Sequence, residues 1–210
     1  MDENRRPINT RSAGWAKRFT EVLVNRDISP NQISVVSMVF ALLGALALNI
    51  DNGVVGSICC AVAIQLRLLC NLFDGMVAIE GGKQSAIGSL YNEFPDRVAD
   101  SLLIVGLGYA IGQSDLGWFA ALAAALTAYV RVFGGSLGLK QSFIGPMAKQ
   151  HRMALMTVGL LLNAVETSFY ATHYVLLIAL TIIAIGSVAT CATRTLTISR
   201  QLKENAHVDQ

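Results

Sequence analysis

The chain is short of charge. Asp, Glu, Lys and Arg make up 14% of its 210 residues, about half of the roughly 25% common in soluble domains. A water-soluble globule of this size is therefore poorly supported, for want of a charged coat. Its formal net charge is only +2, so it lacks the basic field that a nucleic acid would need. Four prolines among apolar runs speak against collagen-like and proline-rich disordered chains. Its four cysteines, Cys59, Cys60, Cys70 and Cys191, lie in those runs with neither zinc-ligand nor secreted-framework spacing. They read as packing residues. His151, His173 and His207 also show no ligand spacing.

What the chain has is apolar length. Stretches occur at about 33–50, 54–73, 98–112, 116–139, 153–165 and 174–193. Several approach the roughly 20 residues that carry a helix across a bilayer. Period-2 alternation does not dominate, which argues against a barrel. The expected fold is all-α and integral to the membrane. Six transmembrane helices follow a short amphipathic interfacial helix, and the third begins near Ile87 with a polar first half. The expected divisions are an N-terminal segment at 1–32, a membrane domain at 33–195 and a tail at 196–210.

Basic residues alternate from one connection to the next. Arg5, Arg6, Arg11, Lys17, Arg18 and Arg26 precede the first span. Lys83 lies in the second connection, Lys140, Lys149 and Arg152 in the fourth, and Arg194, Arg200 and Lys203 in the tail. The first, third and fifth connections have none. The positive-inside rule then places both termini in the cytoplasm. Nothing before Ile33 resembles a cleaved signal peptide. Ala13 to Val24 reads instead as an amphipathic helix in the interface plane, with Trp15, Phe19, Val22 and Leu23 on one face. Ser29 and Pro30 read as the N-cap and first position of the next helix.

Ionisable residues inside a membrane are costly and point to function. Arg67, Asn71, Asp74 and Ala78 form one helical stripe, and Gly88, Asn92, Asp96 and Asp100 form a second that drifts around its helix. A short loop joins them, so both polar ends meet on the cytoplasmic side. Such a set makes a hard, oxygen-rich site suited to magnesium, manganese or calcium. The competing structural reading is polar glue between helices, with Arg67 paired to Asp74.

These residues resemble the signature of the CDP-alcohol phosphotransferases, Asp-x2-Asp-Gly-x2-Ala-Arg-x8-Gly-x3-Asp-x3-Asp. Without a gap the frame falls on Asn71, Asp74, Gly75, Ala78, Ile79, Gly88, Asn92 and Asp96. Ser29-Pro30-Asn31 also looks like the start of the first span in many members. The departures are Asn71 and Asn92 for Asp and Ile79 for Arg, which remove two negative charges from what resembles a two-metal centre. A second register places the last two motif acids at Asp96 and Asp100.

The resemblance implies transfer of a phosphatidyl or related group from a CDP-linked lipid, such as CDP-diacylglycerol, to an alcohol, with release of CMP. It implies Mg2+ or Mn2+ held by Asp74, Asn71, Asn92 and Asp96. Asp96 and Asp100 are the catalytic candidates. Asp74, Gly75, Ala78, Gly88 and Lys83 are the nucleotide-binding candidates, with Lys83 or Arg67 standing in for the missing motif Arg. Arg131, Lys149 and Arg152 are candidates for a phosphate on the acceptor, and Arg131 has a second reading as a partner of Asp100. Gly108-x3-Gly112 and Gly134-x3-Gly138 fit either close packing within the chain or the homodimer common in the family. The other function classes are an inactive relative that binds CDP-lipid and an ion- or proton-coupled transporter.

Overall fold

The computed structural model describes residues 13–208, without side chains beyond 205. Arg5, Arg6 and Arg11 of the positive-inside pattern lie outside the described residues, as does the side chain of His207. Seven α-helices and no strands occur among the described residues: α1 (Gly14–Asn25), α2 (Pro30–Ile50), α3 (Val54–Ile79), α4 (Gly88–Ala110), α5 (Ser114–Ser136), α6 (Lys149–Phe169) and α7 (Tyr174–Val208).

Local chemistry explains the boundaries. Ser29 caps α2 through a reciprocal pair, its Oγ accepting from the Gln32 N–H and the Gln32 Oε1 accepting from its own N–H. Pro30 occupies the first turn, where its missing N–H costs nothing. Gly112 and Gly138 have φ of +70° and +80° just past α4 and α5, the left-handed conformation that ends helices.

Among the described residues, four helices are long and apolar enough to cross a membrane: α2, α3, α5 and the Tyr174–Asn205 part of α7. The shortfall in α4 and α6 has a chemical cause, since they carry Glu93, Asp96, Arg97, Asp100, Lys149, Arg152 and Glu166. Inside the bundle, α2 packs on α3 and α4, α5 on α4 and α7, and α6 on α3 and α7. The core contains Ile64, Leu103, Ile104, Leu107, Met153, Met156 and Leu160, all essentially inaccessible. Valines, leucines and isoleucines cover the outside of α2, α6 and α7, as expected of a surface that meets lipid.

The glycine pairs are used within the chain. A Cβ on Gly108 would lie 2.7 Å from the Gly117 Cα of α5, and one on Gly134 would lie 2.8 Å from the Ile198 side chain of α7. Gly112 and Gly138 serve the helix ends. These glycines therefore give no support to a dimer.

The amphipathic α1 forms close to its expected position and docks on the end of α3. Ala16 and Thr20 are buried there, and Phe19 meets Phe73 at a ring separation of 4.6 Å. Trp15, Phe19 and Val22 keep about half their surface exposed on the outer side. Lys83 bonds the Val24 carbonyl and the Asp27 carboxylate at 3.3 and 2.7 Å. Its ammonium, chiefly through that hydrogen bond, holds the Asp27 carboxyl below its ordinary range.

Candidate active site

The last turns of α3 face the first half of α4. Asn71 Nδ2 donates to Asp96 Oδ1 at 2.8 Å, so the two halves of the stripe pattern meet directly. One turn deeper, Arg67 Nη2 donates to Asp100 Oδ1 at 2.5 Å and approaches Asp96 Oδ1 at 3.4 Å. Helix α6 supplies the opposing cations. The Lys149 ammonium bonds Asp96 Oδ2, and Arg152 Nη2 bonds Asp100 Oδ2 at 2.9 Å. Asp96 and Asp100 are thus each held between Arg67 of α3 and a cation of α6.

Burial separates the two acids. Asp100, Arg67 and Arg152 are sealed from solvent, and Arg152 also donates to the Met147 carbonyl at 2.8 Å. The Asp96 side chain keeps 13% of its surface exposed and that of Lys149 26%. Asp96 is therefore at the open edge of the network and Asp100 at its floor.

Asp74 sits apart from the cations. Its Oδ2 accepts from Ser34 Oγ of α2 at 2.8 Å. Its Oδ1 is buried without a hydrogen-bond partner, although the Gly75 amide lies beside the carboxylate. A lone buried carboxylate oxygen is costly, and a hard cation would satisfy it.

The remaining candidates scatter. Lys83 faces α1 through Asp27 rather than the acids. Asn92 and Ile79 are exposed and Gly88 is partly so. A Cβ at Gly88 would meet only Ser85 Oγ, at 3.4 Å, so that side is open to approach. Arg131, Lys149 and Arg152 do not converge. Arg131 holds Glu93 at 2.6 and 2.7 Å and Gln141 at 2.9 Å, with its guanidinium over the Phe143 ring. Two expected pairings are corrected here. Arg67 pairs with Asp100 and Asp96, not Asp74, because Asp74 turns toward α2. Arg131 pairs with Glu93, not Asp100, because Arg67 and Arg152 already fill both Asp100 oxygens.

Sequence reasoning passed over Ser34, Glu93 and Arg97. Ser34 carried a usable signal, as a hydroxyl one turn inside an apolar span. Arg97 approaches Asp96 Oδ2 at 3.6 Å.

Comparison with known proteins points one way. The phosphatidylinositol phosphate synthase of Streptomyces avermitilis is 26% identical over 194 residues, which is 89% of this chain and 78% of that protein. In sequence the chain is thus similar to phosphatidylinositol phosphate synthases over most of its length. The archaetidylinositol phosphate synthase of Pyrococcus horikoshii is 24% identical over 155 residues, covering 73% of this chain and 80% of that protein. A crystal structure of Mycobacterium tuberculosis phosphatidylinositol phosphate synthase with CDP-DAG bound shares the fold. Its TM-score is 0.76 at 19% identity, over 89% of this chain and 94% of that one. The same enzyme with manganese and citrate gives a TM-score of 0.75 at 18% identity, over 87% and 88%. No family model matches the chain.

The residues of the site fit a divalent ion at one place. Asp74 Oδ1 is the acid oxygen left without a partner, and Asn71 one turn earlier on α3 brings an amide oxygen. Among the described residues no three of His, Cys, Asp and Glu gather as a ready-made metal cage, so the ligand set depends on amides and substrate.

Proposed function

We propose that this protein transfers a phosphatidyl or related group from a CDP-linked lipid to an alcohol and releases CMP, as a step of phospholipid synthesis. The observation that carries this reading is the Asn71–Asp96 hydrogen bond at 2.8 Å. It brings the α3 and α4 parts of the signature into direct contact, and Asp96 belongs to that signature in either register. The synthases named above make inositol phosphate lipids by name, which favours a phosphorylated cyclic polyol as acceptor.

Asp74 and Asn71 would hold Mg2+ or Mn2+, with Asn92 at the rim. Bound there, the ion neutralises the donor diphosphate and eases departure of CMP. Gly75, Ala78 and Gly88 would contact the nucleotide, the Cβ side of Gly88 being open to approach. Asp96 is the acid nearest the opening and serves as general base. The acceptor oxygen attacks the lipid-bearing phosphorus, its proton passes to Asp96, and the P–O bond to CMP breaks with the electron pair leaving on CMP. A base must approach within about 3 Å of that hydroxyl. Lys149, the most exposed of the acceptor-phosphate candidates, lies beside this point. Asp100 acts through Arg67 and Arg152 as a positioning residue.

In this reading α2 to α7 all cross the bilayer, with α4 and α6 spanning despite their charges because these turn into the bundle. Helix α1 lies in the interface with Trp15, Phe19 and Val22 toward lipid, and both termini are cytoplasmic. The reading is made for a single chain. An ion path is disfavoured because Ile64, Leu103, Ile104, Leu107, Met156 and Leu160 form a sealed apolar layer beyond Asp100.

The test is CMP release by purified protein in detergent–lipid micelles with CDP-diacylglycerol, Mn2+ or Mg2+, and a pool of alcohols and their phosphates. Release that needs both acceptor and metal, and disappears in Asp74→Asn and Asp96→Asn, supports the reading. CDP-lipid binding without release across the full pool would indicate an inactive relative instead.

A further inference from the structure

We infer that this site holds a single divalent cation, on Asp74, and that the Lys149 ammonium takes the place of a second positive charge beside Asp96. The inference rests on the transferase reading above.

Charge balance is the first argument. Asp74, Asp96 and Asp100 against Arg67, Lys149 and Arg152 make three acids and three bases, the bases all paired with Asp96 or Asp100 and Asp74 held by Ser34. Arg97, at 3.6 Å from Asp96, tips the cluster positive. Two divalent ions would add four more charges in a largely buried setting, where uncompensated charge is strongly penalised. One ion adds two, which the donor diphosphate returns.

Ligand supply is the second. Both oxygens of Asp96 are engaged, Oδ1 by Asn71 and Arg67 and Oδ2 by Lys149 and Arg97. Asn71 points its N–H at that carboxylate, which can only accept. The contact therefore fixes the amide orientation and leaves just the amide oxygen for a metal. Asp74 Oδ1 alone among these acid oxygens has no partner. A second ion would have to displace Lys149, whereas the first displaces nothing. Lys149 is on this account a positioning residue that holds the Asp96 carboxylate in place.

The test counts ions. The full-length protein in lipid–detergent micelles is titrated with Mn2+, bound metal is measured after gel filtration, and electron paramagnetic resonance reports whether ions are isolated or spin-coupled. One Mn2+ per chain with an isolated-ion spectrum is expected, lost in Asp74→Asn. The combined variant Asn71→Asp, Asn92→Asp, Lys149→Ala is expected to bind two, with a coupled spectrum. Two ions in the unaltered protein, or Mn2+ retained by Asp74→Asn, overturns the inference. So does a combined variant with an unchanged thermal melt that still binds only one. CMP release measured alongside separates the two claims. Two ions with CMP release removes only the single-ion inference, whereas no Mn2+ binding and no CDP-lipid binding removes both.

Discussion

Arg67 donates to Asp100 at 2.5 Å, and neither residue is more than 3% exposed. Such a pair is weak evidence of stability as a whole, yet removing one partner strands a buried charge. Arg67→Ala is expected to destabilise the protein by about 3–5 kcal/mol, read as a large drop in melting temperature in micelles. Adding Asp100→Ala should recover part of the loss, although Arg152 is then left unpaired.

Asp96→Asn keeps size and shape but removes the base. A fall in kcat of about 10²–10⁴-fold is expected, with a melting temperature near that of the unaltered protein. A variant with normal turnover would remove Asp96 from the chemistry.

Ile79 stands where the family signature has Arg, and 42% of its surface is exposed. That exposure gives a longer side chain at the end of α3 a path into solvent. Ile79→Arg is expected to lower the KM for the CDP-lipid several-fold, about 1 kcal/mol for one exposed charge contact, with little change in kcat.

Gly106 of α4 packs against α2, and an added Cβ would lie 2.7 Å from the Ala45 Cβ. A Cβ is fixed to its backbone and cannot yield as the far end of a flexible side chain can. Gly106→Val is expected to cost about 1–3 kcal/mol, measured by thermal unfolding. Gly82→Val, in the loop after α3, would clash with nothing but strain a φ of +64°, so its smaller loss separates strain from crowding.

The Lys83–Asp27 contact joins α1 to the loop between α3 and α4, but the Asp27 side chain is 99% exposed. Exposed pairs contribute little. Asp27→Ala is expected to leave melting and activity unchanged. Phe73→Ala, which removes the ring under Trp15 and Phe19, should instead loosen α1 and expose it to limited proteolysis.

Much of this was legible in the sequence because it depends on local patterns. Apolar length marked every helix from α2 to α7, Ser29 and Pro30 marked where α2 begins, and the face of Trp15, Phe19 and Val22 marked α1. Spacing alone aligned Asn71, Asp74, Gly88, Asn92 and Asp96 with a family signature. Helical periodicity fixes which residues share a stripe, and hydropathy fixes which segments leave water.

Pairing was another matter. Sequence could not say that Asp74 turns to Ser34, that Arg67 reaches Asp100, or that Arg131 is spent on Glu93. Long side chains on neighbouring helices have several partners within reach, and the choice depends on how deep each helix sits and how it is rotated. Lys149 and Arg152 of α6 were already site candidates, but only the closed bundle paired them with Asp96 and Asp100. Sequence thus determined the helices and the chemical inventory. Tertiary packing decided which acid was neutralised, which was sealed in, and which oxygen was left without a partner.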